Sequence, residues 1–192
     1  MKPMSVEKPG SSYTGIAIGL HWLIAVAIVG SFSLGLYMAD LPLSPQKLKL
    51  YSWHKWAGVS IFLFVLLRLV WRLTHRPPAM PPGTPAWQVK IAAATHVLLY
   101  VLMFAVPLSG WLMSSAKGFQ TVWFGVLPLP DLLDKNKELG DLLQQVHMLL
   151  NFSMAALVVA HLGAALKHHF FDRDDILARM IPFLGTATGG TK

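Results

Sequence analysis

The stretch LLQQVHMLLNFSMAALVVAHLGAAL, residues 142–166, contains no Asp, Glu, Lys or Arg. It is longer than the roughly 20 residues that a helix needs to cross the hydrocarbon core of a membrane. Residues 9–39 and 91–116 are equally free of these charges, and a fourth apolar stretch holds Lys55 near its start and two arginines near its end. The sequence therefore predicts four membrane-spanning helices, over about 15–39, 53–74, 91–114 and 142–169.

The composition agrees with a membrane protein of one domain covering residues 1–192. Apolar residues make up 54% of the chain and charged residues only 13%, about half the usual share of a soluble domain. A mean hydropathy of +0.52 points the same way. These values exclude a soluble enzyme and a nucleic-acid-binding protein. The absence of cysteine excludes iron–sulfur clusters, c-type haem attachment, thiolate zinc sites and disulfides.

Short connections between the four predicted spans favour an all-α four-helix bundle in the membrane. We attribute the net charge of +7 to the orientation of the protein in the membrane, because Lys and Arg concentrate on the cytoplasmic side of membrane proteins. With both termini in the cytoplasm, the inner side carries ten Lys and Arg residues and the outer side six. We therefore expect both termini to be cytoplasmic, and residues 183–192 to form a disordered tail.

Eight histidines in so apolar a chain require an explanation, because ionisable groups inside membranes are costly. His147 and His161 are 14 residues apart on one predicted helix, which is nearly four turns, or about 21 Å, on almost the same face. On helix one His21 lies level with His161, and on helix two His54 lies level with His147. The spacing predicts two cross-helix pairs, each suited to the axial positions of a haem iron.

Small residues on these faces fit a flat macrocycle. Gly35 and Gly110 stand 14 residues after His21 and His96, at the predicted level of the outer pair, and Gly58 lies one turn beyond the histidine of helix two. A residue without a side chain lets a haem approach the backbone. Glycines are also ordinary helix-packing residues in membranes, and a lone membrane histidine is often only a hydrogen-bonded packing residue.

Other polar residues are candidates for the inner side of the membrane. Arg68 requires an anion, and a haem propionate supplies one. His96 shares the inner level, and is a less favoured ligand or a neighbour of a propionate or quinone. His168, seven residues after His161, returns to nearly the same face and is a candidate hydrogen-bond donor to quinone, with Thr14 as a second contact. The alternative is that His168 only marks a cytoplasmic helix end.

Together these residues resemble the bacterial cytochrome b561 family, four-helix di-haem b cytochromes related to the membrane subunits of formate dehydrogenases and hydrogenases. The resemblance covers about Thr14 to Pro182. It depends on several motifs taken together: the pair His21-Trp22, His54 with Gly58, RLVWR at 68–72, THVLLYVLMFAVPLSGW at 95–111, the histidines His147 and His161, and KHHFF at 167–171.

The resemblance implies a bacterial inner-membrane protein in which His21 and His161 bind a cytoplasmic-side b-type haem, and His54 and His147 a periplasmic-side one. It implies electron exchange with ubiquinone, and oxidation of superoxide at the periplasmic side by a quinone-reducing oxidoreductase. The alternative function is a membrane anchor that passes electrons between a partner dehydrogenase or hydrogenase and quinone. A third hypothesis, a histidine-based metal or proton transporter without haem, predicts a colourless protein.

Four outer lysines bear on the choice of donor. Lys47, Lys49, Lys55 and Lys117 lie near the predicted outer haem and would attract a small anion by long-range steering. They are equally interpreted as markers of the membrane interface. Acidic residues in the long outer loop between the third and fourth spans, among them Asp131, argue against a uniformly positive outer surface.

Overall fold

The computed structural model describes residues 12–184 and consists mainly of four long helices. Each is long and apolar enough to cross a membrane, which confirms the predicted all-α membrane bundle. Their order along the chain is α1 Gly15–Ala39, α2 Pro45–Thr74, α3 Ala86–Ala116 and α4 Lys137–Lys167. Two short strands, β1 Val122–Trp123 and β2 Leu127–Pro128, lie between α3 and α4; a π-helix over His168–Asp172 and a 3-10 turn over Pro182–Leu184 follow α4.

Capping residues set the starts of two helices. Ser44 accepts a hydrogen bond from the backbone N–H of Lys47 at 3.2 Å, and Pro45 occupies the first helical position, where proline is favoured. Helix α2 therefore begins at Pro45, before the span predicted from about residue 53. Asn136 caps α4 in the same way, so this helix begins at Lys137, before the span predicted from about residue 142.

The helices pack in chain order, α1 against α2, α2 against α3 and α3 against α4. Because they alternate in direction, the described chain begins and ends at the same end of the bundle, which we call the proximal end; the opposite end is the distal end. The core between α1, α2 and α3 contains Ile24, Ile61 and Val65. Large apolar side chains elsewhere on the four helices face outward, as lipid contact requires.

A β-hairpin at the distal end is a feature that the sequence did not predict. Val122 pairs with Pro128 and Trp123 with Leu127. Phe124 and Gly125 adopt positive φ values of 50° and 73°, and the Val126 N–H donates to the Trp123 carbonyl at 3.1 Å, which closes a tight turn. We call residues 119–130 the distal hairpin.

The segment after α4 crosses the proximal end of the bundle. The Trp22 indole of α1 donates to the carbonyl of Met180 at 2.8 Å. Arg179 donates to the carbonyl of Ala79, in the connection between α2 and α3, at 2.6 Å. The chain is thus tied to two other parts of the bundle before the described residues end. The predicted disordered tail lies outside the described residues from position 185 onward.

Candidate functional site

The structure brings four of the predicted histidines together as two pairs. The ring centroids of His21 and His161 are 6.3 Å apart at the proximal level, and those of His54 and His147 are 6.2 Å apart at the distal level. In each pair the rings come from helices that face each other across the bundle, and α4 supplies one ring to both. We call them the proximal pair and the distal pair.

These separations can be compared with that of two imidazoles on opposite sides of one metal ion. A metal–nitrogen bond of about 2.0–2.1 Å, together with about 1.1 Å from the nitrogen to the ring centroid, gives a centroid separation of about 6.3 Å. Both pairs have this separation, within 0.1 Å. The spacing of the rings therefore fits axial ligation of a haem iron, with the porphyrin filling the equatorial positions.

Backbone carbonyls orient both rings of the distal pair. His54 Nδ1 lies 3.1 Å from the Ser31 carbonyl oxygen, and His147 Nδ1 lies 3.1 Å from the Val106 carbonyl oxygen. A carbonyl oxygen only accepts hydrogen bonds, so each Nδ1 carries the proton and each Nε2 keeps its lone pair. Metal-binding histidines commonly donate their second N–H in this way. The distal rings therefore present the tautomer that an axial ligand needs.

Glycines make room for these rings. A Cβ atom on Gly35 would lie 3.2 Å from Cε1 of His54, and one on Gly110 would lie 3.0 Å from Cε1 of His147. Each glycine follows the anchoring carbonyl by four residues, so it stands beside that carbonyl on the helix surface. From the sequence, we expected these glycines to let a haem approach the backbone. In the structure, the groups nearest to Gly35 and Gly110 are the rings of His54 and His147. Gly58 has open space where a Cβ would be.

An apolar cavity lies between the distal rings. Its walls join helices α1 to α4, and Asn151, one of its lining residues, donates to the His147 carbonyl at 2.7 Å. Such a lining suits the apolar faces of a porphyrin. Besides both distal histidines, the lining includes Phe32, Gly58, Ile61, Met103, Pro107 and Met154.

The proximal pair has different neighbours. His96 of α3 lies 5.4 Å from His161, measured between ring centroids, which is shorter than the separation expected across a metal ion. Arg68 donates through Nη1 to the carbonyl of Ala17 at 2.8 Å, one turn before His21, so its guanidinium lies at the level of this pair. Among residues 12–184, the nitrogens of His21 and His161 have no protein hydrogen-bond partner.

Thr14 lies at the proximal end with several basic residues. Its hydroxyl oxygen accepts from the Ala17 N–H at 3.3 Å and from the Trp71 indole at 2.9 Å, so it caps α1 and joins α1 to α2. Thr14 also lines a cavity shared with Arg68 and Arg72. His168 is not among the residues that line this cavity, so the two predicted quinone contacts do not share it.

His168 lies where α4 ends and the π-helix begins. Its backbone N–H still donates to the carbonyls of Ala164 and Ala165, so the seven residues from His161 keep the spacing of two α-helical turns. His168 Nδ1 lies 2.6 Å from a carboxylate oxygen of Asp174 and 3.1 Å from one of Asp172. The imidazole is thus held by acidic groups that the sequence pattern did not connect with it.

All four distal lysines predicted to attract an anion have partners within the protein. Lys49 lies over the Trp53 ring, 5.0 Å from its centroid. Lys47 donates to a carbonyl in the last turn of α1 at 3.1 Å. Lys55 donates to the Phe119 carbonyl at 2.8 Å. Lys117 pairs with Asp141 at 3.3 Å. These ammonium groups therefore hold helix ends and the distal hairpin in place.

Sequence reasoning missed the groups that orient the distal rings. They are the carbonyls of Ser31 and Val106 and the hydroxyl of Ser109, which lies 2.9 Å from His147 Nδ1. Backbone carbonyls leave no mark in a sequence. The sequence contained one signal for these orienting groups. On α1 and on α3, a serine lies close to a glycine in a charge-free helix, and each of these helices packs against a helix that carries a histidine.

Comparisons with known proteins agree with this geometry. Residues 12–183 match the family model described as prokaryotic cytochrome b561. Cytochrome b561 homolog 2 of Escherichia coli (strain K12) is 35% identical over 179 residues, which cover 93% of this chain and 95% of that protein. Cytochrome b561 homolog 1 of the same organism is 30% identical over 168 residues, covering 86% and 94%. A probable superoxide oxidase of Yersinia pestis is 28% identical over 171 residues, covering 88% and 96%.

Proposed function

The chain belongs to the prokaryotic cytochrome b561 family of membrane electron carriers with b-type haem, and from this premise we propose that it binds two haems and transfers electrons to quinone. It is a multi-pass inner-membrane protein, and we propose that its proximal end is cytoplasmic. The observation that carries the proposal is the presence of two histidine pairs, each with the ring separation that suits one iron. A bound b-type haem supplies a one-electron iron couple.

At the distal end, His54 and His147 would hold a haem iron. The carbonyls of Ser31 and Val106 hold the Nδ1 protons, which leaves each Nε2 lone pair free for the metal. Apolar residues of the cavity exclude water from the space between the rings. The protein thus fixes the tautomer and orientation of both rings, and the haem would supply a one-electron couple there.

At the proximal end, His21 and His161 would hold a haem iron, and Arg68 would bind a propionate of that haem. Only one guanidinium nitrogen of Arg68 is used by the Ala17 carbonyl, so other N–H groups remain to bind a carboxylate. His96 stands beside this pair as a neighbour and not as a ligand, because its ring lies closer to His161 than ligation of a common iron allows.

Quinone exchanges electrons with the proximal site. Asp174 engages Nδ1 of His168, which leaves Nε2 for a quinone carbonyl, and the hydroxyl hydrogen of Thr14 remains available because its oxygen only accepts the two bonds described. Reduction of quinone to quinol takes two electrons and two protons. His168 lies at the proximal end of the bundle, where water on that side of the membrane supplies protons. Thr14 and His168 serve as separate contacts, since they line no common cavity.

Superoxide is the proposed electron donor at the distal, periplasmic end. The proposal is supported by similarity to the protein named a probable superoxide oxidase. Each superoxide gives up one electron there and leaves as O2, so two superoxides supply the two electrons that, with two protons, reduce one quinone to quinol at the proximal end. A partner dehydrogenase or hydrogenase subunit is the competing donor.

The ligand assignment is tested on purified protein by the pyridine haemochromogen assay and the reduced visible spectrum. We expect two b-type haems per chain in the unchanged protein. Each single variant should keep one: His54→Ala and His147→Ala the proximal haem, and His21→Ala and His161→Ala the distal haem. His75→Ala is the matched control, because His75 stacks on Trp71 at the proximal surface, 3.9 Å between centroids. A colourless protein would overturn the proposal, and two intact haems after any ligand change would exclude that residue.

The donor is tested in liposomes that contain ubiquinone. We expect added superoxide to be consumed and quinol to form only when both haems are present. If superoxide leaves the haems oxidised while a purified dehydrogenase reduces them, the anchor function replaces the oxidase function.

A further inference from the structure

Side chains of α2 hold the distal hairpin along the side of the bundle. The Trp56 indole donates to the Val122 carbonyl at 2.6 Å. The Trp123 indole of the hairpin donates back to the Ser60 hydroxyl at 3.3 Å. The ring of Phe124 lies 5.3 Å from that of Trp56, measured between centroids. These contacts fix the height of the hairpin along α2.

The height can be expressed as a depth in the membrane. The apolar span on α2 starts at about Trp53, and Trp56 and Ser60 lie three and seven residues beyond it. At 1.5 Å per residue these positions are about 5 and 10 Å below the start of the span. The hairpin therefore lies beside α2 at the depth of one leaflet, and not across the distal end of the bundle.

The tip of the hairpin is apolar and faces away from the protein. Phe124 is 58% exposed, Val126 83% and Leu127 51%. The hairpin as a whole, residues 119–130, contains no charged residue. A surface of this kind in water would expose several large apolar side chains at once, whereas at the depth of a leaflet it continues the lipid-facing surface of α2.

Hydrocarbon cannot hydrogen-bond to the backbone, so non-helical backbone at membrane depth has to find its hydrogen-bond partners within the protein. Here the Val122 carbonyl accepts from Trp56 and from the N–H of Gly125, and the Leu129 N–H donates to the Thr121 carbonyl at 2.8 Å. The two indoles have an apolar body and one polar N–H, as is typical of side chains at the membrane interface.

We propose that the tip of the distal hairpin, residues 124–127, is inserted into the lipid of the distal leaflet and contacts acyl chains. The hairpin then acts as a lateral anchor that sets the depth of the bundle beside the distal histidine pair. This inference depends on the hairpin's contacts with α2 and stands whether or not the two-haem function holds.

The absence of cysteine from the sequence permits a direct test with single-cysteine variants. Val126→Cys and Leu127→Cys are labelled with a nitroxide, and the protein is reconstituted in phosphatidylethanolamine–phosphatidylglycerol liposomes. Val29→Cys, at a site 59% exposed in the middle of α1, is the lipid reference, and Asp134→Cys, in the exposed distal loop, is the aqueous reference. Collision rates with oxygen and with a neutral nickel chelate are measured by power saturation.

We expect the labels at 126 and 127 to resemble the Val29 label, with high oxygen collision rates and severalfold lower nickel collision rates than the Asp134 label. Nickel access equal to that at Asp134 would overturn the proposal in favour of a hairpin in water. Low rates with both reagents would overturn it in favour of a protein surface, a second copy or a partner subunit, covering the tip. Using two labelled positions keeps the test valid if one variant fails to fold.

Discussion

The two histidine pairs have nearly the same ring separation, 6.2 Å and 6.3 Å, in very different surroundings. In the distal pair each ring donates to a backbone carbonyl and rests against a glycine four residues later. In the proximal pair, as far as the described residues show, the rings have no such anchors, and a third histidine and an arginine lie close by.

On the proposed ligand assignment, this difference teaches that one fold can position ligands in two ways. The distal rings are oriented by backbone groups of α1 and α3, so haem binding there would cost little further ordering. The proximal rings would depend on the bound group and on charge for their final orientation. Changes to packing should therefore damage the distal site most, and changes to charge should damage the proximal site most.

The largest expected effect is that of Gly110→Val. A Cβ at this position would be only 3.0 Å from the His147 ring, and the added methyl groups leave the ring no room. We expect the distal haem to be lost and the proximal haem kept, giving about one haem per chain by haemochromogen assay. Gly163→Val on α4, where a Cβ meets nothing within 4 Å, is the matched control and should keep both. If the Gly110 variant retained both haems, the position of the His147 ring would not depend on the space that Gly110 leaves for it.

Arg68→Leu should affect only the proximal site, and less severely. Losing a hydrogen-bonded charge partner costs about 1.5–3 kcal/mol, so we expect proximal haem affinity to fall about 10- to 100-fold. Arg72→Leu is the comparison, because Arg72 lies over the Tyr100 ring at 5.8 Å and has less to lose. Haem transfer to apomyoglobin measures both variants. Equal, negligible effects would assign both arginines to interface anchoring.

Ser109→Ala removes one of the two groups near His147 Nδ1. The Ser109 hydroxyl also donates to the Val106 carbonyl at 2.7 Å, and that bond is lost as well. The Val106 carbonyl still accepts the Nδ1 proton, so the His147 ring itself loses a single hydrogen bond of about 0.5–1.5 kcal/mol. We expect distal haem transfer to apomyoglobin to become about 2- to 10-fold more favourable, with the proximal haem unaffected. Complete loss of the distal haem would mean that the hydroxyl, and not the carbonyl, orients the ring.

The smallest effect is expected from His96→Ala. Because the His96 ring is a neighbour of His161 and not its partner, both haems should remain and the low-spin spectrum should be unchanged. A high-spin signal or the loss of one haem would show that His96, and not His21, completes the proximal site.

Most of the architecture could be predicted because the membrane imposes it. Three charge-free runs and a fourth apolar stretch, each of sufficient length, indicated the four spans. Helical geometry brings residues 14 apart to one face, so His147 and His161 were correctly placed opposite His54 and His21. These inferences need only the rise and period of a helix.

Features that depend on contacts between distant segments could not be predicted. The carbonyl of Ser31 anchors a ring from α2, and the distal hairpin exists because Trp56 and Ser60 of α2 hold it. The contact of His168 with the Asp174 carboxylate likewise joins it to a residue beyond the helix. Local propensity contains none of these relations, so the sequence pointed to Gly35 and Gly110 without showing that histidine rings lie against them.

The position of α4 in both pairs has a consequence for biosynthesis. Helices α1 and α2 leave the ribosome first and present a single imidazole at each level, His21 at one and His54 at the other. Helix α3 adds His96 at the proximal level, but neither pair gains its second member until the last helix has been translated and inserted. On the proposed ligand assignment, capture of a haem by both rings of a pair is therefore a late event at both ends. A chain truncated before α4 would lose both sites together, which would make haem content a report of synthesis through α4.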